Sequence, residues 1–371
     1  MDYVILAFAA LCVCAAAAAD SPARPQPDRF VEFDPPTLLL PSQEQQDVLR
    51  RRFAAEPTVA DDFAGLIAAA EEATTVRPTP IAAIRYEGLV SNHPDRIATV
   101  EKMQDMLRLR AECWAYILTG EPRFATSGVK RLHAWATTYQ PIGNDVNENK
   151  LDATVLARQV FAAHLTDAQR RDVDAWLMDI ARRHADAMPA ARAGNRLAKR
   201  VKIVASIASV LNDPALRQHA INGFDRFVEL TFQPDGTTYD FHHRDALHYH
   251  LGSVEPGVLM LLTMRDPART LDTTVGKSGS VRNGLDFVVP YVRGEKVHRE
   301  WVNSQVDLDR RRFEQGDEYY RPGKPWTADY RARRLFELAG AIDPKYRDIA
   351  RIIPARPDEI DVVFEYLING R

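Results

Sequence analysis

The chain has 371 residues, with 48 Lys and Arg against 51 Asp and Glu, for a formal net charge of −3. A nucleic-acid binder would show a basic excess, so this balance argues against one. An anionic substrate stays open, because Arg far outnumbers Lys and suits bidentate capture of carboxylates.

After Met1 and Asp2 runs an apolar segment, YVILAFAALCVCAAAAA, that ends in small residues before Asp20. This is the shape of a secretory signal over residues 1–19, with an anchor helix or a retained signal as the alternative reading. Its apolar core is too short to read as a membrane span, so no stable membrane insertion is expected after cleavage, and the mature protein is expected to be secreted or periplasmic. Cys12 and Cys14 would leave with the signal. Cys113 then remains alone among apolar residues at helical spacing and reads as a packed thiol, so stability must come from the core. Residues 20–42 are rich in Pro and read as an extended arm.

Everything after the arm reads as helical. Apolar residues recur at three and four spacing over 43–71, 94–119, 123–139, 149–163, 166–188, 195–211, 214–231 and 246–264. Stop signals separate these runs: TGEPR at 119–123, QPIGND at 140–145, NDPA at 212–215 and QPDG at 233–236. Short connections between long amphipathic helices imply antiparallel neighbours in a layered or circular arrangement. Residues 265–330 are the least regular and are expected to supply loops beside a site. With no convincing strand, repeat or linker, residues 20–371 read as one all-α domain.

Four of the ten histidines fall within FHHRDALHYHLGSVEP, as His242, His243, His248 and His250, together with Arg244, Asp245 and Tyr249. A lone histidine is more often a ring satisfied by a neighbour, but this crowding of imidazoles, a cation and a phenol points to proton transfer. DALHYHLGSVEPGVLMLL reads as one helix, with Asp245 and Tyr249 on a shared face and His248 and His250 flanking it. Adjacent and i, i+2 histidines converge poorly on a metal and no HExxH pattern is present, so no metal site is expected. In ARAGNRLAKRVKIVASIASVL, Asn195 either caps a helix or, with Arg196 and the helix N-terminus, forms a carboxylate site. Arg310, Arg311 and Arg312, taken alone, read as a solvated helix face. Arg85, Tyr86, Asn92 and His93 lie in an irregular stretch able to close over a ligand.

Taken in order over roughly residues 85–350, these segments resemble the alginate lyase superfamily, the (α/α) toroid polysaccharide lyases that include family 5 and related uronate lyases. WAYILTGEPRFATSGVKRLHAWA is similar to the family's helix pair, GNRLAKRVKIVASIASVLND to its Asn-His helix, and DGTTYDFHHRDALHYH to the segment bearing its catalytic Tyr. VNSQVDLDRRRFEQGD and KPWTADYRARRLFELAG resemble its closing motifs. The resemblance implies an incomplete (α/α) barrel of antiparallel helix pairs and β-elimination of a 4-linked polyuronate, such as alginate, poly-mannuronate or glucuronan. Tyr249 falls on the catalytic Tyr, and Asn195 on the Asn that neutralises the substrate carboxylate. The pattern departs from the family at Arg196, which stands where the family has His, and at His242, His243 and Arg244, which stand where it keeps an Arg. Arg196 and one of His242 or His243 are therefore expected to share the catalytic work. Arg244, His248, His250, Arg311, Arg312, Tyr86, Asn92 and His93 are expected to bind substrate. The resemblance implies a monomer acting on an anionic polysaccharide without a cofactor. Two other readings use the same cleft: a noncatalytic uronate-polymer binding or export protein, and a glycoside hydrolase built on carboxylates among Asp240, Asp245 and Glu255.

Overall fold

The computed structural model describes residues 40–354 together with Val363, Tyr366 and Leu367; the expected signal and most of the Pro-rich arm lie outside them. Among the described residues the secondary structure is helical. Strands are absent there, and only two isolated bridges form, Phe232 with Thr238 and Arg299 with Pro325.

The run expected over 43–71 is three helices, α1 (Gln43–Ala55), α2 (Pro57–Asp62) and α3 (Ala64–Thr75). Pro57 causes the first break: it holds Glu56 in extended backbone and occupies the first position of α2, where its missing N–H costs nothing. Prolines also open α4 (Pro94–Thr119) and α5 (Pro122–Thr138), and Gly120 at φ 71° ends α4 in the left-handed conformation. Next come α6 (Asp145–Glu148), a tight turn, α7 (Asp152–Val160) and α8 (Asp167–Ala187), the last opened by a capping box between Thr166 and Gln169. α9 (Asn195–Leu211) and α10 (Pro214–Thr231) follow, separated by Asn212 at φ 53°.

The histidine-rich stretch is not one helix, which corrects the expectation that Asp245 and Tyr249 share a face. α11 (Tyr239–Arg244) ends at Asp245, left-handed at φ 49°, and α12 (Leu247–Met264) begins after Ala246. The stretch 265–330 also holds α13 (Val281–Val292) and α14 (Asp307–Glu314), and α15 (Tyr330–Gly340) and α16 (Lys345–Ile352) follow it. The sequence of α13 hides its helix, because β-branched residues and an internal Pro290 lower its helical signal; the capping box of Ser280 with Asn283 starts it.

Helices α4, α7, α9, α12 and α15 touch in succession and form an inner row. Behind them α3, α5, α8 and α10 pack in succession, and α13 and α16 back α12 and α15. The result is a two-row all-α arc. Trp135, Phe124, Phe161, Phe224, Phe227 and Phe336 are fully buried in one apolar cluster, each such side chain contributing about 1.5–3 kcal/mol. Cys113 is buried within that cluster as a packed thiol, and burial pushes its pKa well up. Among the described residues no helix is long and apolar enough to cross a membrane.

Candidate active site

The first turns of α7, α9, α12 and α15 open onto one cleft. Asp152, Asn195, Lys199, Lys202, His248, Tyr249, Glu255, Arg331 and Arg334 line it from these helices, and Tyr86, Lys150, Arg312 and Tyr320 from the segments between. The starts of α9, α12 and α15 are already met by the carboxyl groups of Asp240, Glu300 and Asp329, so the side-chain cations are what favour an anion here. Two lobes of about 240 and 330 Å³ share Val146, Asn195, Lys199, Tyr249 and Arg312, so these five residues form the waist of the cleft.

Tyr249 stands at that waist, addressed by two guanidiniums. Arg244 lies 3.8 Å above the ring centroid and is itself held by Asp309 at 2.5 Å. Arg312, nine-tenths buried, donates toward Tyr249 Oη at 3.5 Å and also donates to Tyr320 Oη. Trp301 meets the Tyr249 ring edge-on at 5.6 Å, and its backbone N–H is fixed on the Asp245 carbonyl at 2.8 Å. The phenol is thus oriented by packing on one side and by cations on the other.

Asn195 is the first residue of α9 and does not cap it; Gly194 occupies the cap position at φ 85°. The Asn195 backbone N–H donates to buried Asp240 at 2.5 Å, and its side-chain Oδ1 accepts from Lys199 Nζ at 3.1 Å. Lys199 was missed by sequence reasoning, although one helical turn from Asn195 is a spacing that shares a face. Burial lowers the pKa of its ammonium against the opposing pull of Asp145 and Asp240. Arg196 lines the second lobe but is committed to Asp145 at 2.8 Å and Glu87 at 2.6 Å, and both carboxylates raise its pKa.

The four histidines diverge. His243 lines the second lobe, stacked on Tyr239 at 5.4 Å. His242 is exposed beside the cleft, with Nε2 on Thr237 Oγ1 at 2.7 Å and its ring against Phe241, so the catalytic assignment offered for it is corrected. His250 is fully buried away from the cleft: Nδ1 meets Thr238 Oγ1 at 3.1 Å and Nε2 meets the Gly284 carbonyl at 2.9 Å. Burial brings its pKa down to about 4, so it is a neutral ring that ties α12 to α13 and is not a substrate ligand. His248 does line the cleft. Its Nδ1 receives Arg331 at 3.0 Å and Tyr319 Oη at 2.6 Å, which leaves the ring proton on Nε2. Desolvation, reinforced by Arg331, Arg244 and Arg312, holds His248 neutral, so it serves as a donor and not as a cation.

Three further expectations need correction. Arg311 is exposed on α14, outside the residues lining either lobe, whereas Arg312 one position on turns inward. His93 caps α4 by accepting the Asp95 N–H at 3.1 Å, and neither it nor Asn92 lines the cleft. Tyr86 does line it, with its hydroxyl receiving Arg96 at 2.7 Å. The carboxylates a hydrolase would need have structural work. Asp240 holds Asn195 and Ser253, Asp245 receives Asn303, and Glu255 pairs with Arg334 at 3.1 Å.

A family model described as alginate lyase matches residues 59–298, more than half of the chain. The molecule is therefore a polysaccharide lyase, a carbon–oxygen lyase of the kind that acts by β-elimination. The chain belongs to the alginate lyase family. Among solved structures it is similar to alginate lyase A1-III from Sphingomonas species A1, at 17% identity over 84% of this chain and 91% of that one, with a TM-score of 0.58. A tyrosine-to-phenylalanine variant of alginate lyase A1-III complexed with tetrasaccharide matches at 18% identity and TM-score 0.52, over 67% of this chain and 77% of that one. A histidine-to-alanine variant in its apo form matches at 18% and 0.51, over 67% and 76%. At these identities the likeness is one of fold. No curated protein sequence matches the chain.

Proposed function

We propose that this protein cleaves a 4-linked polyuronate by β-elimination, with Tyr249 as both base and acid. The observation that carries the reading is the position of Tyr249 at the waist of a cationic cleft, flanked by Arg244 and Arg312 and facing the side of α9 that bears Asn195. A proton alpha to an ionised carboxylate is hard to remove, so donors must bind the enediolate-like form more tightly than the ground state. Asn195 supplies one such donor. The phenolate of Tyr249, stabilised by the Arg312 donor, takes the C5 proton; the C4–C5 double bond forms as the C4–O bond breaks, and the phenol returns the proton to the leaving oxygen. Tyr249 ends as it began, and the product is an unsaturated uronate.

The remaining cations, Lys150, Arg331 and Arg244, suit neighbouring uronate units, and half-buried His243 lines the second lobe beside them. The solved complex of an alginate lyase A1-III variant with a tetrasaccharide supports an oligosaccharide as the ligand class. In this reading the apolar segment before Asp20 is cleaved, and the enzyme acts as a secreted or periplasmic monomer. The test is a panel of alginate, poly-mannuronate, poly-guluronate and glucuronan, followed by ultraviolet absorbance of the unsaturated product. At least one polymer should give a steady rise. Reducing ends released without that absorbance would mean hydrolysis and would sink the proposal.

A further inference from the structure

The cleft needs a cation for the carboxylate of the reacting uronate, and the residue that stands in the family's histidine position cannot supply it. Arg196 is bound to Asp145 through both Nε and Nη2 and to Glu87 through Nη2. Freeing it would leave the fully buried Asp145 carboxylate with Arg200 alone, at 3.1 Å.

Lys199 differs in each respect. It lines both lobes at the waist, opposite Tyr249, and among the described residues no carboxylate lies within ion-pair distance of its ammonium. Its hydrogen-bond partner is Asn195 Oδ1. Because an ammonium only donates, this contact fixes the Asn195 amide with its oxygen on Lys199 and its NH₂ left for a ligand. Two N–H bearing groups are then presented side by side, one charged and one neutral. Burial lowers the Lys199 pKa against the pull of Asp145 and Asp240, so a carboxylate brought against the ammonium would stabilise its charged form.

We infer that Lys199 Nζ and Asn195 Nδ2 together clamp the carboxylate of the uronate being cleaved, with Lys199 as the catalytic cation. This rests on the β-elimination reading. As Tyr249 removes the C5 proton, the C–H electron pair passes into the carboxylate, whose added charge falls on the ammonium. The same pair then forms the C4–C5 double bond as the C4–O bond breaks and its electrons leave with the C4 oxygen. The clamp therefore strengthens in the transition state and raises kcat as well as affinity.

The experiment compares Lys199→Met, Lys199→Gln and Lys199→Arg on an ionised polyuronate and on its methyl ester, with thermal melting to verify folding. On the ionised polymer the Met and Gln variants should lose about 10²–10³-fold in kcat/KM, as for removal of a transition-state donor. Lys199→Arg, which keeps the charge, should stay within about ten-fold of the parent. On the methyl ester, where the substrate charge is gone, the Met and Gln penalties should shrink to a few-fold. Equal penalties on both substrates would overturn the clamp, as would an unchanged rate in folded Met and Gln variants. An Arg variant as inactive as Met would show that charge at this position does not carry the rate and would overturn it as well. Failure of the underlying reading looks different: the parent itself would give no unsaturated product.

Discussion

Tyr249 draws its surroundings from three distant parts of the chain, and that distance sets what its sequence neighbourhood reveals. The crowding of four histidines points to a segment that lines the cleft, and Tyr249 with Arg244 can be read from it directly. The fates of the histidines cannot, since burial on α13 decides His250 and a hydrogen bond to Thr237 decides His242. Arg312 arrives 63 residues later, and nothing local separates it from exposed Arg311. Lys199 was legible in principle from its spacing to Asn195. Glu300 was not legible at all: it is buried and accepts the N–H groups of Leu247 and His248 at 2.6 and 3.3 Å, holding the start of α12 behind Tyr249. Burial pushes its carboxyl up to about 8 from an ordinary 4.5. The folded chain therefore keeps a proton that the unfolded chain loses in that window, so the stabilisation is full below pH 4.5 and is lost as pH rises through 8. Glu300→Gln keeps the acceptor and removes the titration. Its melting temperature should fall less than the parent's across this range, and parallel curves would refute the assignment.

At the scale of elements, α4, α5, α8, α9 and α10 were readable to within a residue or two, because a proline, a glycine or left-handed Asn212 lies close to at least one end of each. The break between α11 and α12 was hidden, since Asp245 enters the left-handed region without glycine's freedom and is held there by contacts from Trp301 and Asn303. Such contacts form only after the chain has folded. Gly194 has the opposite character, a requirement visible once the geometry is known. At φ 85° a Cβ would run into the Asp240 carboxylate that receives the Asn195 N–H. Gly194→Ala should therefore cost about 1–3 kcal/mol from backbone strain and steric conflict. It should also lower kcat, because the start of α9 carries Asn195 and Lys199. Calorimetry with steady-state kinetics checks both, and a fully active variant of parental stability would show that the approach is not constraining.

At the scale of the molecule, amphipathic periodicity announced an all-α protein, but which helices form the inner row depends on packing that periodicity does not encode. One tie between the rows is a buried charge cluster. Arg131 of α5 reaches Asp105 at 2.7 Å and Glu112 at 3.2 Å on α4, and the Ala73 carbonyl on α3 at 2.8 Å, with all three charged residues fully buried. Arg131→Met would leave Glu112 without its counter-ion and Asp105 with only Arg108, at 3.5 Å, and should destabilise the chain by about 3–5 kcal/mol in denaturant titrations. A loss below 1 kcal/mol would mean that the cluster relaxes. The inner row matters for function because it brings cations and the Tyr249 phenol to a single cleft. That convergence is the central claim, and Tyr249→Phe tests it most directly by removing one oxygen from the waist. Measured as ultraviolet absorbance on the best polyuronate of the panel, the variant should be folded and bind the polymer while losing about 10²–10⁴-fold or more in kcat. A folded Tyr249→Phe enzyme that eliminates at the parental rate would contradict the account.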